Sequence, residues 1–287
     1  MKRKVLKILA LVLAIILIIG VGLFANSLVG NPVSKFLATK GAEEHLAKNY
    51  GDKDFVIEEV NYDFKTGGYY ARVTSPTSID SHFSLSFDWM GKLIIDSYDN
   101  VASGWNTAKR INDDYNKKVD NVFENNEFPF FIEMSYGNIE FTSEEYGEDS
   151  SIPEYAIYKE TLEIDGIYNI DELGKKAGKL TVYIYLGELS EEKLAEILLN
   201  IKSVFDKSGV TFYAIDCVLQ QSKSEVSTPP DYTYVTPQQI EVMDFLYSDI
   251  YEEGLVERVK KANEEAIKYN EEQNKIKEAE ISEALSQ

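Results

Sequence analysis

An α+β fold is predicted by three observations: an apolar run behind a basic N-terminal flank, two groups of strand-like segments with alternating apolar and polar residues, and helical segments bearing apolar stripes. The expected architecture is an N-terminal transmembrane helix, two small antiparallel-sheet-plus-helix domains and a C-terminal charged helix. The expected boundaries are 1–28 for the anchor, 29–124 for an N-terminal α+β domain with a connector helix, 125–221 for a C-terminal α+β domain, 222–235 for a linker and 236–287 for a C-terminal helical segment. With 44% hydrophobic and 12% aromatic residues in 287, the chain has enough apolar material for two cores.

The anchor comes first. Lys2, Arg3, Lys4 and Lys7 precede ILALVLAIILIIGVGLFA, Ile8 to Ala25, which holds no charged side chain. At about 1.5 Å per residue this run and its neighbours cross a hydrocarbon layer of roughly 30 Å. The run is long for a cleavable signal, and Leu23 stands where a small residue is needed for cleavage after Ala25, so a retained anchor is expected. Residues 5–25 are assigned to the lipid bilayer. The positive-inside rule then leaves the N-terminus cytoplasmic and the bulk of the chain extracytoplasmic, at the cell membrane.

Behind the anchor, Pro32 and Ser34 open a helix with Ala38, Ala42, Leu46 and Tyr50 on one face and Gly51 as its stop. FVIEEVNYDF, 55–64, turns through Gly67 and Gly68 into YYARVTS, a hairpin pattern. HFSLSFDW places Phe83, Leu85, Phe87 and Trp89 on a packed face and His82, Ser84, Ser86 and Asp88 on a wet one, before KLIIDSY. These four wet residues are the candidate ligand or partner face. A helix from Val101 to Phe123, with Trp105, Tyr115 and Val119 on its stripe, acts as connector.

The second group begins at FPFFIEMSY, 128–136, and continues past an acidic loop, Glu144 to Asp149, through strand-like YAIYKETLEI and KLTVYIYL. Ser190 caps a helix ended by Gly209, and VTFYAIDCVL follows. The lone Cys217 permits no internal disulfide and reads as a buried, inert thiol. Thr236, Pro237 and Gln239, with Val235 stapled to Ile240, predict a helix through Met243, Leu246, Tyr247 and Ile250. A charged, solvated helix is expected beyond Gly254, with Glu264/Lys268 and Glu271/Lys275 pairs.

Charge excludes one partner class. Forty-nine acidic residues oppose 29 basic ones, so a nucleic-acid backbone is repelled. An acidic exterior stays soluble above anionic lipid; the sharper alternative is a cationic peptide or divalent metal as partner.

TSPTSIDSHF, Thr74 to Phe83, condenses serine, aspartate and histidine into ten residues. A Ser-His-Asp relay needs groups converging in a line, whereas consecutive Asp80, Ser81 and His82 alternate sides in extended chain. The stretch is read as a connection whose hydroxyls bond to local backbone. His45 and His82 lack zinc-site spacing, the acidic clusters lack EF-hand spacing, and nucleotide loops are missing, so no catalytic residue, metal or cofactor is expected.

The order GNPVSKFLA, HLAKNY, DKDFVIEEVNYDF, GGYYARVTSP, DSHFSLSFD and KLIIDSY behind a single span resembles the YfjL-like proteins of Gram-positive bacteria, most strongly over 29–100. The resemblance implies a membrane-anchored protein with an N-terminal and a C-terminal α+β domain, and it supplies no catalytic residues. The function expected is non-catalytic binding or regulation at the cell envelope, with a cell-envelope protein or peptide as partner. The alternative is an extracytoplasmic hydrolase whose carboxylate site only the fold assembles.

Overall fold

The computed structural model describes residues 2–146, 152–221 and 238–286. It is an α+β protein with two compact units, Met1–Thr107 with Leu162–Gly166, and Ala108–Thr161 with Ile167–Gln287.

The first unit opens with α1, Lys2–Val29. Among the described residues its large apolar side chains, from Val5 to Val29, are exposed, and it is long and apolar enough to cross a membrane. Gly30, at φ +69°, breaks the chain before α2, Pro32–Asn49. Asn31 caps α2 by accepting from the Ser34 amide, and Pro32 at the first position needs no acceptor. The last helical residue is Asn49 and Tyr50 is the C-cap, its amide bonded to the Leu46 carbonyl, so Gly51 stands just past the cap, where the stop was expected.

Four strands follow in antiparallel order: β1 Val56–Asp63, β2 Gly68–Ser75, β3 Ser78–Phe87 and β4 Leu93–Asp96. Ala38, Ala42 and Leu46 of α2 close over Ala71, Val73, Phe83, Leu85 and Phe87, the apolar face that the alternation predicted. Trp89 departs from that pattern and is 65% exposed. The strand ends at Phe87 because Asp88 takes the Met90 and Lys92 amides on its Oδ1, at 2.8 and 2.9 Å, and turns the chain. The expected helix at 101–123 is two, α3 Asp99–Ala102 and α4 Trp105–Asn125, broken at Gly104 with φ +75°. Trp105 is half-exposed at the first position of α4 and not on its buried stripe.

In the second unit, β5 Ile132–Ile139 precedes β6 Phe141–Thr142, which pairs in parallel with β7 Ile157–Tyr158. Of the expected strand YAIYKETLEI only Ile157–Tyr158 is strand, followed by a 3-10 turn at Lys159–Thr161, and residues 147–149 of the acidic loop lie outside the described residues. Then come α5 Ile170–Ala177, β8 Gly178–Leu186, α6 Glu191–Ser208 and β9 Ala214–Gln221. Ser190 caps α6 and Gly209, at φ +68°, terminates it. Helix α6 carries the chain over the sheet, so β8 and β9 pair in parallel, and the expected all-antiparallel layer is a mixed sheet of order β10–β9–β8–β5.

The helix expected from Thr236 is corrected. Residues 239–246 are β10, Gln239–Leu246, paired antiparallel with β9. Thr236, Pro237 and Val235, together with the linker 222–235, lie outside the described residues. The register slips between Val242 and Phe245, with Asp244 at φ +48°, and this bulge resets the strand's alternation. The apolar residues thus fall at intervals that imitate a helix, yet Met243, which a helix would bury, is 45% exposed. Among the described residues of the C-terminal segment the α-helix is α7, Leu255–Ser286, preceded by a single 3-10 turn at Tyr247–Asp249. Its first half packs on β10 and α6 through Leu255, Val259 and Ala266, and its second half carries exposed charge.

Candidate functional site

In the first unit α2 covers one sheet face, and the alternation turns the other toward an open groove. The groove has a volume of about 960 Å³ and runs from Glu58 across Arg72 and Thr74 to His82, Ser84 and Asn106. His82 and Ser84 are thus the two expected face residues that line it. Ser86 lies further along the same strand, half-buried between Tyr70 and Ile95. Asp88 is past the strand's end, where its carboxylate is spent on the turn amides.

The TSPTSIDSHF stretch builds the groove's end wall. Thr74 and Ser75 finish β2, Pro76 and Thr77 make a two-residue turn, and Ser78 begins β3. Thr74 pairs with His82 and Ser75 with Ser78, so Ile79, Asp80 and Ser81 form a bulge. Its hydroxyls accept local backbone amides as expected, Ser75 from Thr77 and Ser78 from Ser81, and they also donate to carboxylates from other segments. Ser75 and Thr77 each donate to Asp54 at 2.6 Å, Thr74 donates to Glu58 at 3.2 Å, and Ser78 donates to Asp165 at 3.0 Å. The Ser75 and Thr77 hydrogen bonds hold Asp54 below the usual carboxylate range.

Asp80, 1% exposed, points away from His82 into the protein. Its Oδ2 accepts from Thr107 Oγ1 and from the Asp165 amide, both at 2.9 Å, while Asp165 Oδ1 accepts the Asp80 amide in return. Asn106 donates to the carbonyls of Asp80 and His82, at 2.8 and 2.7 Å. His82 Nδ1 lies 3.2 Å from the Ile79 carbonyl. Asp80 and His82 therefore serve different partners and form no relay.

Arg72, Thr74, Glu58 and Asn106 were not singled out from sequence. For Arg72 and Thr74 the information was present, because they alternate with buried Ala71 and Val73 on β2. For Asn106 it was not, since a helix residue joins this wall only through the fold.

Family models match the chain over residues 5–96, as the YfjL-like N-terminal domain, and over 114–260, as the YfjL-like C-terminal domain. The chain belongs to the YfjL-like family. Comparison with curated proteins and with solved structures gives no match. All four strands of the groove-bearing sheet fall within the YfjL-like N-terminal match.

Further polar clusters occur in the YfjL-like domains, and two of them gather titratable groups. At the far end of α2, Asp96 Oδ2 lies 2.7 Å from both His45 Nε2 and the Tyr50 hydroxyl. Burial raises the Asp96 pKa, but the His45, Tyr50 and Tyr98-amide hydrogen bonds outweigh it and hold the carboxyl below its ordinary value. In the C-terminal domain Lys179 bridges Asp216 at 3.0 Å and Asp244 at 2.7 Å, and Tyr155 donates to Asp244 at 2.9 Å. Asp216 also accepts the Asp244 amide, at 2.7 Å, across the β10 bulge. Burial lowers the Lys179 pKa, yet the two carboxylates outweigh it and raise the ammonium's pKa. Cys217 is fully buried beside this cluster, as expected, and burial pushes its thiol up to about 12.

Proposed function

We propose that the chain is a single-pass, membrane-anchored extracytoplasmic protein that binds a protein or peptide of the cell envelope through the groove of its first unit, without catalysis. The observation that carries this reading is the groove itself. It offers a guanidinium, a carboxylate, an imidazole, hydroxyls and amides along one sheet face. Such an assortment of donors and acceptors suits an extended polypeptide, whose backbone alternates the same two functions. The hydrolase alternative has less to rest on. Asp216 and Asp244 do converge, but Lys179 lies between them as their counter-ion, and Asp80 is committed to Thr107.

Site-specific photo-crosslinking in intact cells tests the binding role. A photoreactive residue at Ser84 is expected to yield a discrete adduct that Arg72→Glu removes, whereas one at Glu271, on the exposed half of α7, yields none. Identical adducts from both positions, or no adduct from Ser84, would count against the groove.

A further inference from the structure

The end of the first unit at which α1 joins it is unlike the rest of the acidic chain. Tyr62 donates to the Ser27 carbonyl of α1 at 2.8 Å, and the Tyr69 hydroxyl accepts the Asn31 amide at 2.7 Å, so the end of α1 is tied to β1 and β2. The register brings two turns to this same end. Asp63 pairs with Gly68 and Phe87 pairs with both Tyr69 and Leu93, so the β1–β2 turn, 64–67, and the β3–β4 turn, 88–92, leave the sheet side by side. The second of them lies against the first half of α2, where a Cβ on Gly91 would come within 2.5 Å of the Leu37 carbonyl oxygen.

What these segments expose is apolar and basic. Phe36 on α2, Phe64 on the first turn, and Trp89 and Met90 on the second are each about 60% exposed or more. Lys35, Lys40, Lys65 and Lys92 stand beside them, also exposed. Of the nearby carboxylates, Asp63 and Asp88 accept amides of their own turns, and Glu43 lies 3.9 Å from Lys40, which leaves Lys35, Lys65 and Lys92 as the basic side chains of this end. In a chain of formal net charge −20, this is a local reversal of sign next to the end of the apolar helix.

We propose that this collar rests in the headgroup layer of the bilayer that α1 enters, with Phe36, Phe64, Trp89 and Met90 in the interface and the lysines on anionic headgroups. Aromatic rings and lysine stems suit that layer, which is wet on one side and apolar on the other. The bilayer is favoured over a protein partner because the collar continues directly from the end of the spanning helix. The inference rests on the anchor reading but not on which side of the membrane the unit occupies.

The chain has two tryptophans, so Trp105→Phe leaves Trp89 as the sole reporter. The full-length variant is reconstituted into phosphatidylcholine vesicles with and without phosphatidylglycerol, carrying lipid brominated near the headgroup. Trp89 is expected to lose fluorescence to the brominated lipid and to lose its sensitivity to iodide, more completely with phosphatidylglycerol. A Lys35→Glu, Lys65→Glu, Lys92→Glu variant is expected to remove that lipid dependence. Trp89→Phe, in which only Trp105 reports, is expected to lose the quenching and guards against misfolding of the first variant. Flotation after alkaline carbonate separates the two readings. A chain that fails to float overturns the anchor and the collar together, whereas one that floats while Trp89 stays open to iodide and unquenched by bromine overturns the collar alone.

Discussion

At the scale of single residues, Asp80 shows how the fold reassigns a chemical-looking side chain. It sits in a stretch that suggests catalysis, yet its carboxylate holds Thr107 and the Asp165 amide and so fastens Leu162–Gly166 to the β3 bulge. Asp80→Ala would leave a buried hydroxyl and a partly buried amide without this acceptor, at about 1–3 kcal/mol each. The expected loss is roughly 2–6 kcal/mol in the first unit, which holds both tryptophans, and urea titration followed by tryptophan fluorescence in micelles reads it. A variant within about 0.5 kcal/mol of the parent would show that Asp80 is not the fastening. None of this was legible beforehand, because the partners lie 27 and 85 positions away. Phe83, Leu85 and Phe87 were legible, since alternation is a local property; Trp89 was misread because one Asp88 turn ends the strand before the pattern does.

At the scale of elements, local patterns held where an element packs on one side and failed where tertiary pairing competes. Helix α6 announced both caps and its buried stripe, and it has them. The capping pattern at 236–240 is worth about 1 kcal/mol, whereas pairing a strand with β9 satisfies a ladder of backbone groups and buries Val242 and Phe245. The connector helix carried a different unread message. Asn112 and Asn116, one turn apart on α4, accept the Ile139 and Gly137 amides at 2.6 and 2.9 Å along the outer edge of β5. That side-chain pair gives the sheet's edge the acceptors a further strand would supply. Asn116→Ala is accordingly expected to cost about 1 kcal/mol and to speed amide exchange at Gly137. Unchanged protection of Gly137 in the variant would assign the edge to some other cover.

At the scale of the whole molecule, the distribution of charge decides which way the chain threads. All four basic residues before Ile8 precede the apolar run, and the remaining 25 face 49 carboxylates beyond it, so the two sides of α1 differ in sign. Short basic flanks resist translocation, while acidic domains offer little resistance, and the sheet-bearing units are expected outside. In right-side-out vesicles protease should reach them; in inverted vesicles they should be sheltered until detergent is added. Substituting Lys2, Arg3, Lys4 and Lys7 by glutamate removes the asymmetry and should yield a mixed population, with a protected fraction appearing in right-side-out vesicles. Digestion confined to inverted vesicles in the parent chain would reverse the orientation. It would also move the groove's partner from the envelope to the cytoplasm, while leaving the lipid collar where it is, because that surface follows the end of α1 whichever side it emerges on.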